Sequence, residues 1–263
     1  GGVLQAQGDL EGAKKYLERA LKIDEMAYGP DHPYVARDVN NIGGILQAQG
    51  DLEGAKKYLE RALKIDEMAY EPDHPYVAIQ VNNIGSVLHD MGDLEGAKKY
   101  LERALKIDEK AYGPDHPYVA IEVSNIGSVL HDMSDLEGAK KYIDRALKID
   151  EKAYGLDHPK VAIRVSNLGE VLHDMGDLEG AKRHYERALK IDEKAYGPDH
   201  PDVATMANNL GAVLRDQGDL EGAKRHCERA LKIYRVRLGE DHPNTMKVQN
   251  NLDAVEREIG GEG

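Results

Sequence analysis

The hexapeptide Asp-Leu-Glu-Gly-Ala-Lys begins at Asp9, Asp51, Asp93, Asp135, Asp177 and Asp219, so the chain repeats itself every 42 residues. A period of this size defines one supersecondary unit that cannot bury its apolar face alone and must stack on its neighbours. A second marker, Asp-His-Pro, keeps the same period, with its histidine at His32, His74, His116, His158, His200 and His242. Length alone would divide 263 residues into one or two globular domains. Because no linker interrupts the series, we expect a single repeat array over residues 1–263.

Each unit reads as two helices. Around residue 50, Val35, Val39, Ile42 and Leu46 recur at helical spacing and predict a first helix over 33–49. Pro33 suits the first helical position, where its missing N–H costs nothing. His32, preceding a proline, is pushed into extended geometry, where Asp31 or His32 can satisfy a free N–H. Gly50 ends this helix and Asp51 can cap the next. Leu52, Ala55, Leu59, Ala62 and Leu63 then form the stripe of a second helix over 52–70, with Glu60 and Lys64 paired on its outer face. Applied to the first unit, the same reasoning gives a helix over 10–28. The connection Gly50-Asp51 is short enough only for an antiparallel hairpin. Gly43, Gly85, Gly127, Gly169 and Gly211 fall on the inward face, opposite Ala55, Ala62 and their equivalents. A glycine inside a helix costs about 0.5–1 kcal/mol relative to alanine, so close helix contact must offset it.

These residues resemble the tetratricopeptide repeat. Val39, Ile42, Gly43 and Leu46 stand at the large, Leu-Gly and aromatic places of its first helix, and Ala55 and Leu59 match its second. Glu67 departs from it, standing where the pattern has proline, so the second helix can continue. The unit is eight residues longer than the usual 34. With Asn-Asn-Ile-Gly and Asp-His-Pro, this longer form is similar to the repeats of kinesin light chain. The resemblance covers essentially the whole chain. It implies an all-α fold, a right-handed superhelical solenoid of antiparallel helix pairs, acting as a protein–protein interaction scaffold.

The ends differ from the middle. Residues 1–7 match 43–49 almost letter for letter, and read as the tail of a truncated first helix in a longer array. With Val3 and Leu4 left uncovered, end-to-end self-association is expected. Near the other end Gln249, Asp253 and Glu256 replace the equivalents of Val39, Gly43 and Leu46. Residues 243–259 are therefore expected to form a capping helix at a natural C-terminus.

Composition narrows the partners. The formal net charge of −13 gives no basic footprint for nucleic acid or an anionic membrane. No apolar run approaches the roughly 20 residues of a membrane span, and the first residues do not read as a signal peptide. Cys227 is the only cysteine, so an intrachain disulfide is impossible, and it occupies the core place of Leu59. We expect a cytoplasmic chain that binds protein or peptide, without nucleic acid or membrane partners.

Comparing units within the chain locates the candidate site. The second helix scarcely changes, whereas the first changes on one face. One set of equivalents is Arg37, Ile79, Ile121, Ile163, Thr205 and Lys247. The next is Asn40, Asn82, Ser124, Ser166, Asn208 and Asn250, followed by Gly44, Ser86, Ser128, Glu170, Ala212 and Ala254. The last two are Gln47, His89, His131, His173, Arg215 and Arg257, with Ala48, Asp90, Asp132, Asp174, Asp216 and Glu258 beside them. In tetratricopeptide proteins this face lines a concave groove where asparagines of the first helix grip the backbone of an extended peptide. The resemblance implies the same here, with Asn40, Asn82, Asn208 and Asn250 in the matching place and Ser124 and Ser166 departing from it. Amides and hydroxyls supply peptide hydrogen bonds. Ile79, Ile121 and Ile163 would form an apolar rail, and Asp90, Asp132, Asp174 and Glu170 would add negative charge. The same face can also be read as a solvated surface free to vary.

No catalytic motif, phosphate loop or paired-cysteine site appears, so no enzyme activity and no cofactor are expected. His89, His131 and His173 lie one repeat apart on helices roughly 8–10 Å from each other, which disfavours convergence on a metal. The alternative function is an architectural module that assembles a larger multidomain protein through array ends or the opposite surface.

Overall fold

The computed structural model describes residues 10–261, so the expectations about residues 1–7 lie outside it. The described residues form twelve α-helices and no strand: α1 (Leu10–Tyr28), α2 (Pro33–Ala48), α3 (Leu52–Ala69), α4 (Pro75–Asp90), α5 (Leu94–Tyr112), α6 (Pro117–Asp132), α7 (Leu136–Tyr154), α8 (Pro159–Asp174), α9 (Leu178–Tyr196), α10 (Pro201–Asp216), α11 (Leu220–Leu238) and α12 (Pro243–Ile259). Two compact units divide the chain after Ser134: α1–α6 lie in the first and α7–α12 in the second. In each, consecutive helices pack as antiparallel pairs and the pairs stack on one another.

Local chemistry fixes each boundary. The Asp51 carboxylate accepts from the Gly54 N–H at 2.9 Å, and Asp93, Asp135, Asp177 and Asp219 cap their helices in the same way. The histidine caps are also formed. His74 Nδ1 accepts from the Tyr76 N–H at 3.2 Å, while its ring stacks on Tyr70 at 4.4 Å between centroids. Because Nδ1 accepts, the proton of a neutral ring sits on Nε2.

The second helices end at Tyr112, Tyr154 and Tyr196 where a glycine follows, and Gly113 takes up φ +86°. That left-handed region is open to glycine and strained for Glu71. Helix α3 therefore stops one residue short of expectation, at Ala69, and Tyr70 becomes extended at φ −128°.

The apolar stripes meet as expected. Val39, Ile42, Ala55 and Ala62 have no exposed surface, and Leu59 has 1 %. The inward glycines sit against large partners: a Cβ on Gly43 would lie 2.8 Å from Leu59 Cγ, and one on Gly211 would lie 2.9 Å from Cys227 Sγ. Cys227 is buried and free, a packing residue as its place implied. In α12, Val248, Leu252 and Val255 are buried, whereas Asp253 and Glu256 lie on the surface. Across the second helices, Arg61 reaches Glu25 at 2.6 Å and Arg103 reaches Glu67 at 2.6 Å, while Arg187 pairs with Glu151 at 2.6 Å. Such part-exposed pairs are each worth about 0–1 kcal/mol.

Candidate partner-binding face

The apolar positions of the variable face point outward. Ile79, Ile121 and Ile163 are 48 %, 38 % and 55 % exposed, although Val77, Ala78, Val119 and Val161 beside them are buried. At the equivalent positions, Arg37 is held by Asp38 at 3.1 Å and Asp24 at 3.4 Å. Thr205 Oγ1 lies 2.7 Å from the Tyr234 hydroxyl, and Lys247 is exposed.

The polar positions are more engaged with the protein than the sequence suggested. Asn40 Oδ1 accepts from Asn83 Nδ2 at 2.7 Å, Asn82 Oδ1 from Asn125 Nδ2 at 2.8 Å, and Asn208 Oδ1 from Asn251 Nδ2 at 2.9 Å. The carbonyl ends of these asparagines thus tie one first helix to the next, so a peptide could use only what the amide ends have left. Asn250 is exposed, Ser166 is half-buried, and Ser124 is buried, its backbone carbonyl accepting from Ser128 Oγ at 3.3 Å. The donors Asn83, Asn125 and Asn251 were missed. Their signal was invariance, since every complete unit has asparagine there.

A second ladder joins the ends of the same helices, again 43 residues on. Gln47 Nε2 donates to Asp90 at 2.6 Å and to Ser86 Oγ at 3.0 Å. His89 Nε2 lies 2.6 Å from Asp132, and His173 Nε2 lies 2.7 Å from Asp216. Arg215 Nε reaches Glu258 at 2.7 Å. Separate helix axes do not keep these side chains apart, because imidazole and carboxylate together span the gap. The carboxylates stay about half exposed, at 52 % for Asp132 and 51 % for Asp216. Glu170, Asp174 and Arg257 are exposed, and His131 lies 3.6 Å from Asp132 of its own helix. Among the described residues, no three His, Cys, Asp or Glu side chains converge as a metal site.

Deeper in the same seam lies a column whose first-helix members, Asp38, Gln80, Glu122, Arg164, Met206 and Val248, differ in every unit. Every second helix except α11, which has Tyr234 there, carries an aspartate that faces a residue fourteen positions on, in the next first helix. Gln80 Nε2 donates to Asp66 at 2.8 Å, and Arg164 Nε donates to Asp150 at 2.9 Å. Asp108 instead meets Glu122. Burial, then the charge of Asp108, pushes Glu122 up to about 9, and its Oε2 is buried without a hydrogen-bond partner. Burial raises Asp108 to about 6. Asp192 faces Met206 and is raised to about 6 by burial and then by Asp202.

A cavity of about 270 Å³ opens on this face within the second unit, and another of the same volume is lined by Met246, Gln249 and Asn250. The first brings together the expected Ile163, Ser166 and Thr205 with Asp192, Tyr196, Asp202 and Met206.

Capped helix pairs with small residues at the crossing and a ladder joining successive first helices define a helical-hairpin repeat protein. Sequence models described as tetratricopeptide repeat match residues 1–68, 37–79, 120–194 and 162–223, and a second such model matches 77–118 and 203–244. The chain belongs to the tetratricopeptide repeat family. No curated protein matches it in sequence. Among solved structures it is similar to BtubC (BKLC) from P. vanneervenii, with TM-score 0.72 and 22 % identity over 90 % of this chain and 93 % of that one. It is also similar to nearly identical TPR-like repeats named for a kinesin light chain of Podosopora anserina, with TM-score 0.66 and 18 % identity over 79 % of this chain and 98 % of that one.

Proposed function

We propose that the chain binds an extended segment of a partner protein along the variable face of its first helices. The repeat family as a whole serves protein–protein interaction, and no described helix is long and apolar enough to cross a membrane. The observation that carries the finer reading is the exposure of Ile79, Ile121 and Ile163 at equivalent positions, while the core positions beside them are closed. Within the first compact unit, exposed Ile79 and Ile121 stand one repeat apart and offer a pair of anchors to a chain laid across them. The half-exposed carboxylates nearby favour basic residues between those anchors.

Magnitudes set the test. A rim ion pair is worth about 0–1 kcal/mol, whereas truncating a buried apolar anchor can cost about 2 kcal/mol or more. With a partner selected from a displayed peptide library, Ile121→Ala should weaken binding more than Asp132→Asn. Unchanged affinity after Ile79 and Ile121 are both changed to Ser, with helicity intact, would move the site elsewhere and favour the architectural role.

A further inference from the structure

We propose that the cavity between α8, α9 and α10 is a subsite for an arginine side chain of the bound segment. The inference rests on the peptide-binding reading and adds a residue-specific ligand to it. Its basis is a comparison the molecule makes with itself. Asp66, Asp108, Asp150 and Asp192 each meet a residue fourteen positions on, and for Asp108 that residue is the carboxyl of Glu122. Asp150 has a guanidinium, Arg164, and Asp66 has an amide, Gln80. At Asp192, Met206 stands in the partner's place and supplies no donor.

The consequence for Asp192 is specific. It is 5 % exposed, and its carboxyl has no hydrogen-bond or ion-pair partner among the described residues. It nevertheless lines an open cavity, with the exposed Asp202 as a second carboxylate at the rim. Ile163 and Tyr196, 55 % and 46 % exposed, flank the opening, and Met206 and Thr205 complete it. A buried carboxylate without a partner is costly, and a charge-assisted hydrogen bond relieves that cost. An arginine matches each part: its aliphatic stem would lie against Ile163 and Met206, Tyr196 offers a face on which the guanidinium can stack, and its donors reach the two carboxylates. Within this chain the Asp150–Arg164 pair already shows that the seam accepts a guanidinium on this aspartate position.

The test uses the full chain and three probes: the peptide acetyl-Gly-Leu-Arg-Leu-Gly-amide, its citrulline counterpart, and acetyl-arginine-amide, each titrated by NMR and calorimetry. We expect saturable shifts at the amides of Asp192, Thr205 and Met206 with the arginine peptide. Binding should be weaker by about tenfold or more with citrulline, which keeps the shape and loses the charge. Met206→Arg installs the internal guanidinium and should weaken the arginine peptide by a similar factor while raising Tm. Asp192→Asn should weaken it without filling the cavity, and so reports even if the arginine variant fails to fold. Equal binding of the arginine and citrulline peptides, or no loss in either variant, would overturn the subsite. Equal affinity for acetyl-arginine-amide would overturn the peptide as its ligand. Failure here leaves the exposed isoleucines of the first unit as an independent test of the binding face.

Discussion

Ser134 is the one described residue other than glycine with positive φ, at +63°. Its counterparts Gly50, Gly92, Gly176 and Gly218 turn the chain at φ near +80°. A left-handed residue with a Cβ costs roughly 1–2 kcal/mol. Glycine also gains freedom in the unfolded chain, which offsets part of the benefit. Ser134→Gly should therefore raise stability by up to about 1 kcal/mol, read from the midpoint of urea unfolding. The opposite sign is expected inside a first helix. A Cβ on Gly85 would lie 2.8 Å from Leu101 Cγ and 3.3 Å from the Ala97 carbonyl. Helix propensity favours alanine there, yet overpacking costs typically about 1–3 kcal/mol. Gly85→Ala should lower stability in the same measurement. If it did not, the helices would be free to separate at that crossing.

At the level of the element, the buried column predicts a dependence on pH. Glu122, on α6, is held protonated up to about 9, against an ordinary value of 4.5. The folded chain thus keeps a proton that the unfolded chain releases. The stability this confers is complete below about 4.5 and is lost as pH rises through about 9, with a slope of up to about 1.4 kcal/mol per pH unit. Asp108 adds a smaller effect of the same sign, lost between 3.8 and about 6. Glu122→Gln should flatten the slope of stability between pH 5 and 9 and stabilise the alkaline side. An unchanged slope would mean that Glu122 reaches water. Helix positions were largely legible in the sequence, because proline, aspartate and glycine mark each boundary chemically. Two ends fell one residue short of expectation: the helix from Pro33 stops at Ala48 with Gln49 as its cap, and the slip at Tyr70 came from Glu71 in a glycine's place. The face of Ile79 and Ile121 was legible as well, since it varies where the core does not. Two features were hidden. Invariant Asn83 and Asn125 resembled packing residues, and the variation at Gln80, Glu122, Arg164 and Met206 gains its meaning only beside the aspartate fourteen residues earlier, on another helix.

Within each of the two compact units, contacts are made between neighbouring helices in order. Stability in such arrays is approximately a sum of unit and interface contributions. Removing residues 51–92 would join Gly50 to Asp93, take out α3 and α4 together, and carry away the Asp66–Gln80 pair whole. The shortened chain should keep its helical signal per residue, with a drop in Tm of only several degrees, as circular dichroism would show. Collapse of the fold would mean that distant units support one another.

The aspartate seam has a consequence for how such a chain can change over generations. The stretch that duplicates or recombines as a block is a hairpin of 42 residues, but Asp192 and Met206 belong to adjoining hairpins. With the proposed arginine subsite, the heritable module and the recognition module would be out of phase. Shuffling one block rewrites the pockets at both of its borders while leaving its own interior intact. A lineage could acquire new ligand preferences by reordering existing copies, before a single codon is altered.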